Sequence, residues 1–531
     1  MRTTLITPTP PDVAAFGTRA LSAYLKMHGK DVRVIFLPGG VEKFRHQAGY
    51  RYTYDKAILE QVIELCRGSH LIGVSFMSHY LDRARQLCDA IKGVYRDIPL
   101  VVGGIHPTVM PEECLQFSDI VCIGEGEEAL LDLVTCIENH EDYCHIDNLY
   151  VKKKDRFYRK PLRRLIQDLD TLPFYDFGSD NHYMYDNLKK RIEPVSKALL
   201  QRSFPLEPHV EGSFSDAYQR TLSYKTMTTR GCPHHCTFCA ENTLAKMYSG
   251  QKYLRKRSID HVIRELLWVK QEMPFIESIF LFDDTFLARS TREIQEFAEA
   301  YKKVIGLPFH IQASPETVNT DKMDALVDAG LVFVEMGIQS TSRTAKNLYR
   351  REVQTETILS AAAIFHRYTK QIYPPCYHVI LDNPWESPRD VVETLQVVLR
   401  LPPPFWLKRA SLVCFPGTEL YTLAKKDGLI ETEEDERREI YAKHLHMPKG
   451  SYVNFLMYLA GFSRFPRRLL ALLADERCLK LFERDSLRGF YSLLNKIGEF
   501  LILISKGARS MSQGDLKRIY RYMIRVTSAM S

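Results

Sequence analysis

Short, nearly continuous apolar runs, separated by stretches with helical spacing, constrain this chain more than any other feature. Five occur in the first 140 residues: TTLIT (3–7), DVRVIFL (31–37), LIGVSF (71–76), LVVGG (100–104) and DIVCIG (119–124). Runs of that kind suit strands covered on both faces, as in a parallel sheet. Between them lie amphipathic patterns such as GTRALSAYLKMHG, which sets Leu21, Tyr24, Leu25 and His28 on one face and ends on a glycine. The pattern predicts a doubly wound, flavodoxin-like (Rossmann-like) α/β domain with its ligand beyond the C-terminal strand ends. A second series follows from Tyr224: KTMTTR (225–230), SIFLFDD (278–284), FHIQAS (309–314), VFVEMGI (332–338), YHVILDN (377–383) and WLKRASLVC (406–414). Six βα units are too few for a closed eight-unit barrel and predict a partial (β/α)6 barrel, with chemistry at the C-terminal strand ends.

Four domains are therefore expected: a Rossmann-like domain over 1–145, a ribbon and linker over 146–223, the partial barrel over 224–440 and a helical C-terminal region over 441–531. DNLYVKKKDRFYRKP (147–161) predicts a two-stranded ribbon with a charged turn. The aperiodic stretch from about Leu165 to Ser223, rich in Tyr, Asp, His and Pro, is read as a linker that covers part of an active site. At 531 residues, 45% hydrophobic and 26% charged, the chain has the composition of a folded soluble protein. No apolar run reaches the ~18 residues of a membrane span, the start carries no secretory pattern, and a cytoplasmic protein is expected, with membrane association as the alternative.

The net charge of +7 sits at one end of the chain. Residues 451–531 hold fourteen Lys or Arg against six Asp or Glu, a net of +8 that leaves about −1 for the first 450. RFPRRLLALLADERCLKLFERD and IGEFLILISKGARS interleave these charges with apolar residues. One reading is a helical cap on the barrel; the other is a basic amphipathic surface that touches anionic membrane. No nucleic-acid partner is expected.

Nine of the twelve cysteines are scattered singly, as for reduced thiols; the other three form TTRGCPHHCTFCAEN (228–242), with the spacing C-x3-C-x2-C at Cys232, Cys236 and Cys239. A structural zinc site needs a fourth ligand, which only His234 or His235 could supply from within the same short loop. That reading would make the chain a zinc-binding interaction protein. A redox pair would use Cys236 and Cys239 and leave Cys232 unexplained. A [4Fe–4S] cube takes four thiolates, so three leave one iron open to a small ligand.

The last pattern resembles the radical S-adenosylmethionine (SAM) enzymes, and further segments resemble the branch that joins this barrel to an N-terminal cobalamin-binding domain. These are FLFDDTF (Asp283, Asp284), EMGIQS (Glu335, Gln339), ILDNPWES, CFPGTELY, VVGGIHPTVMPEE and DIVCIGEGE. The branch more often has GIES and ILGLPGET, so Gln339 stands in place of a glutamate, and Asp382 and Trp385 in place of glycines. The resemblance implies a [4Fe–4S] cluster on the three cysteines and SAM contacts at Phe238, Asp284, Ser314, Glu335 and Gln339. For cobalamin it implies contacts at Ser75, Ser78, Gly103, Gly104, His106, Thr108, Gly124 and Gly126. The Asp-x-His-x-x-Gly pattern of free-standing cobalamin domains is absent: His28–Gly29 lacks the Asp and the spacing, and Asp180-x-His182 lacks the Gly.

The implied reaction is reductive cleavage of SAM to a 5′-deoxyadenosyl radical, hydrogen abstraction from an unactivated carbon, and methyl transfer through cobalamin. An electron donor such as flavodoxin or ferredoxin is implied, as is a small-molecule or lipid substrate, for example a hopanoid, an isoprenoid or another natural product. An oxidative or ring-forming (cyclase-like) radical SAM reaction on the same domains is the alternative. His234 and His235 are read as loop spacers.

Overall fold

The computed structural model describes residues 1–9, 15–38, 52–153, 156–207, 221–442, 448–462 and 465–512. Part of the loop after the first strand (10–14), the ribbon's turn (154–155) and the last residues of the basic tail (513–531) lie outside the described residues.

The five apolar runs of the N-terminal region form parallel strands: β1 (Arg2–Thr7), β2 (Asp31–Phe36), β3 (Leu71–Ser75), β4 (Leu100–Gly103) and β5 (Ile120–Cys122). Their order in space is β5-β4-β3-β1-β2, a doubly wound arrangement. Alternate residues feed two cores: Leu5, Val34 and Val101 face one side of the sheet, and Ile6, Ile35 and Val102 the other. The ribbon, β6 (Leu149–Lys153) and β7 (Arg156–Arg159), is antiparallel and pairs with β5.

The region read as a linker is in part sheet. Strand β8 (His182–Asp186) pairs in parallel with β2, and β9 (Arg191–Pro194) closes the far edge in antiparallel fashion, giving nine strands. The misreading has a physical cause: HYMYD is an edge-side strand, and polar contacts seat two of its buried positions. His182 meets Asp176 at 3.0 Å and Asp186 meets Arg202 at 2.7 Å.

The second sheet begins with β10 (Leu206–Glu207) antiparallel to β11 (Thr221–Thr226). After a two-residue pair, β12 (Thr229–Arg230) with β13 (Arg255–Lys256), it continues in parallel through β14 (Ser278–Leu281), β15 (Phe309–Ala313), β16 (Leu331–Gln339), β17 (Cys376–Leu381) and β18 (Trp406–Ser411). Spatial order equals chain order, as a partial barrel requires. Several helices of the barrel start on a capping side chain: Ser258, Ser290, Asn319, Ser342, Ser387 and Thr418 each accept a backbone N–H of the first turn. Each such cap is worth about 1 kcal/mol. Tyr377, Val379 and Leu381 face the helices, whereas Cys376 joins Phe333 and Trp406 in a small cluster near the N-terminal strand ends.

Among the described residues, four α-helices follow residue 442: Tyr452–Ala460, Arg467–Leu473, Glu476–Phe482 and Arg488–Ser512. The first is tied to the barrel by Asp382, which follows β17 in a left-handed conformation (φ 57°). Its carboxylate accepts from Asn454 Nδ2 (2.8 Å), Lys449 N (2.9 Å) and Ser411 Oγ (2.5 Å). One continuous apolar core runs from Leu5 through the barrel to Leu456 and Tyr491.

Candidate functional site

Two cavities lie at the C-terminal strand ends of the two sheets, and the segment Arg230–Cys232 borders both. The first is lined by Ser75, Gly103, Gly104, Gly124 and Gly126 of the N-terminal domain, by Tyr175, and by Met227 and Arg230 of the barrel. It holds about 1030 Å³ of empty space counted out to its open mouth. A slot runs back from it beside Leu5, Gly73 and Val101, under the helices Phe16–Met27 and Glu127–Glu138. Its walls are mainly aliphatic, and glycines bring backbone to its rim, a lining suited to a largely apolar ligand with few polar contacts. Gly124 adopts φ 70°, and a Cβ there would lie 1.9 Å from the Tyr248 hydroxyl, so this turn accommodates no side chain.

Ser78, His106 and Thr108, grouped with those residues in the sequence, stand behind the cavity. Burial is complete at His106; its Nδ1 shares a hydrogen bond with Ser78 Oγ (3.0 Å) and its Nε2 lies 3.3 Å from Glu113. Thr108 accepts from the Gly124 N–H (3.1 Å) and donates to the Gly104 carbonyl (2.8 Å), tying two rim loops together. No histidine lines this cavity among the described residues.

The junction between the domains is ionic. Arg230 donates to Glu125 (3.0 Å) and Glu127 (2.5 Å), and Arg255 donates to Glu125 (3.0 and 2.9 Å). Burial works to raise the Glu125 carboxyl, but the two guanidiniums outweigh it and hold the group below the usual carboxylate range. The fifth βα turn of the first domain thus grips the residue that opens the cysteine loop of the second.

That loop is positioned from several sides. The backbone N–H groups of Thr228 and Thr229 both donate to buried Asp283 (2.6 Å each), and their hydroxyls donate to the same carboxylate (2.7 and 2.9 Å). Gly231 turns the chain with φ 89°, where a Cβ would fall 2.6 Å from the Tyr253 carbonyl oxygen. The Thr237 N–H donates to the Tyr349 carbonyl (3.2 Å), and Phe238 meets the Tyr349 ring edge-on at 5.0 Å.

Cys232, Cys236 and Cys239 converge on the second cavity, of about 730 Å³ to its mouth. Burial pushes the Cys232 and Cys239 thiols up to about 12, with Asp284 and Glu241 adding to the effect. A metal cation would displace those protons. The Arg351 Nη1 donates to Cys236 Sγ at 3.7 Å. Three soft donors in one open-mouthed pocket, and no fourth cysteine lining it among the described residues, fit a cluster with one open position.

Phe238, Asp284, Ser314, Glu335 and Gln339 all line this same cavity. Burial, with Glu241 and Asp283 nearby, pushes the Asp284 carboxyl up to about 7, and burial raises Glu241 as well. A ligand ammonium would ionise both. Gln339 sits at φ 66°, a conformation costly for a non-glycine residue. Sequence reasoning missed Arg351, which donates to Ser314 Oγ (3.1 Å) and the Gly337 carbonyl (3.3 Å), and His378, 3.5 Å from Glu335. Burial, with Lys408 nearby, lowers His378 to about 3, so its ring is neutral. His234 lines the cavity too, and burial with the Arg351 charge lowers its pKa. The inward alternation on β17 was a usable signal for His378; a lone Arg351 after a helix gave none.

The family model of the Radical SAM superfamily matches residues 226–398, and that of the B12 binding domain matches residues 2–134. An uncharacterized methyltransferase of Pyrococcus horikoshii is 23% identical over 368 residues, 68% of this chain and 71% of that protein. The anaerobic magnesium-protoporphyrin IX monomethyl ester cyclase of Rubrivivax gelatinosus is 22% identical over 296 residues, 54% of this chain and 46% of the cyclase. The solved structure of the cobalamin-dependent S-adenosylmethionine radical enzyme OxsB, with aqua-cobalamin and S-adenosylmethionine bound, aligns with a TM-score of 0.62 at 14% identity. That alignment covers 100% of this chain and 79% of OxsB, and at such identity it establishes likeness of fold.

Proposed function

This chain belongs to the radical SAM enzymes that carry a B12 binding domain, and from that premise we propose that it methylates an unactivated carbon of a lipid or natural-product substrate. The observation that carries the reading is the proximity of two unlike cavities, one aliphatic and glycine-rimmed with Arg230 on its wall, the other lined by three cysteines from Cys232 onward. When bound, the [4Fe–4S] cluster with SAM supplies one-electron cleavage of a sulfonium bond, and cobalamin supplies a transferable methyl group.

The chain's part is binding, orientation and exclusion of water. Cys232, Cys236 and Cys239 would hold the cluster. Arg351, braced on Ser314 and the Gly337 carbonyl, presents a guanidinium suited to a carboxylate, and Asp284 with Glu241 presents acceptors for an ammonium. Phe238 offers a flat apolar wall against which an adenine can pack. Gly103, Gly104, Gly124, Gly126, Ser75 and Tyr175 would cradle the corrinoid. His106 is buried behind the cavity with its Nδ1 bonded to Ser78, and offers that cofactor no ligand. An external one-electron donor such as flavodoxin or ferredoxin completes the requirement.

The test is anaerobic reconstitution with iron, sulfide and cobalamin, followed by mass spectrometry after incubation with SAM and a reductant. Deoxyadenosine and S-adenosylhomocysteine formed together support methylation. Deoxyadenosine without S-adenosylhomocysteine counts against methyl transfer through cobalamin.

A further inference from the structure

The helix Arg488–Ser512 presents six apolar residues to the outside. Phe490, Leu493, Ile497, Phe500, Leu501 and Ile504 are each between 45% and 62% exposed. Their spacing of three, four, three, one and three places them within one arc of about 100° on the helix. The opposite side is the one that packs: Tyr491 and Asn495 are buried, and a Cβ on Gly498 would lie 2.3 Å from the Tyr458 hydroxyl of the helix Tyr452–Ala460. The outward stripe is therefore not a stray edge of the core. An apolar face of this extent on a water-exposed helix marks an interaction surface.

Charge decides the occupant. Lys496 is exposed on this helix, Lys480 on the preceding helix Glu476–Phe482 and Arg484 between the two, and residues 451–531 carry a net of +8. A second copy of this chain docked stripe to stripe would bring two such cationic regions together, whereas an anionic surface would neutralise them. Among the described residues no helix is long and apolar enough to cross a membrane. At 25 residues and ~1.5 Å per residue the helix can lie along an interface instead.

We propose that the C-terminal helical region docks on an anionic phospholipid bilayer, with the Phe490–Ile504 stripe buried at the headgroup boundary and the basic side chains on lipid phosphates. This docking stands independently of the chemistry at the two cavities.

The test is flotation of the full-length protein, purified anaerobically, with phosphatidylcholine vesicles that do or do not contain phosphatidylglycerol. The protein is expected to float with the anionic vesicles, and less so at high salt. Phe500→Glu with Leu501→Glu, and separately Lys480→Glu with Arg484→Glu, should each weaken binding by about tenfold or more. Iron content and thermal midpoint should stay as in the wild type, since these side chains are exposed. The proposal is overturned if the wild type fails to float with anionic vesicles, or if both variants float as well as it does. It is also overturned if the stripe instead holds two copies together, seen as a wild-type dimer that the Phe500→Glu, Leu501→Glu variant splits while neither form binds vesicles.

Discussion

Cys236 is the most enclosed of the three clustered thiols, and Arg351 lies against its sulfur. Cys236→Ala should abolish the reconstituted cluster, seen as loss of iron, sulfide and visible absorption. His234→Ala should retain all three, although its ring lines the cavity. Retention of iron by the cysteine variant, or loss by the histidine variant, would contradict the assignment. His106→Ala is expected to leave cobalamin affinity within about threefold of the wild type, because both ring nitrogens face the protein interior. Spacing made the three cysteines legible, since C-x3-C-x2-C is rare and chemically specific. It could not tell which polar residues of the glycine-rich turns face the cavity: Ser75 does, while Ser78 and Thr108 brace the turns from behind. Asp382 shows a related limit. It occupies a left-handed position as a glycine would, and its carboxylate has taken on the docking of the helix Tyr452–Ala460.

At the level of elements, strands with nearly continuous apolar runs were legible because burial on both faces leaves no polar positions to blur them. Strand β8 was not, since contacts such as His182 with Asp176 replace apolar burial there. Asp176 accepts from Ser22 Oγ (2.6 Å), Lys26 Nζ (2.8 Å) and His182 Nε2 (3.0 Å), fastening the segment before β8 to the helix Phe16–Met27. Burial alone would raise its carboxyl, but these partners hold it far below the ordinary value of 3.8. A carboxylate depressed in the folded state contributes stability that is present above its unfolded value and lost as pH falls through the folded one. Asp176→Asn should therefore cost about 2 kcal/mol in urea titrations at pH 7. That cost should persist down to about pH 4 and shrink only below it. A cost that vanished already at pH 5 would show that the carboxylate is not held this way.

Across the whole molecule, the order of the domains was readable from the two series of apolar runs, but their fusion was not. Nothing in the sequence GEGEEA marks Glu125 as the partner of Arg230 and Arg255, more than 100 residues away, because one-dimensional spacing carries no information on contacts across a domain junction. Removing Glu125 from this half-buried cluster leaves the buried Arg255 without its carboxylate partner and Arg230 with Glu127 alone. Glu125→Gln should thus destabilise the protein by about 3 kcal/mol in denaturant titration. A loss under about 0.5 kcal/mol would mean that packing alone holds the domains. Both cavities lie close to that junction, at Arg230 and at Cys232, and the proposed reaction requires both to be filled.

Metal content of the full-length protein, reconstituted anaerobically with cobalamin and freed of excess reagents, tests that assignment most directly. The expected result is about four iron and four sulfide with one cobalt per chain, the iron lost and the cobalt kept in Cys236→Ala. Zinc in place of iron, or a full iron complement with no cobalt retained, would contradict it.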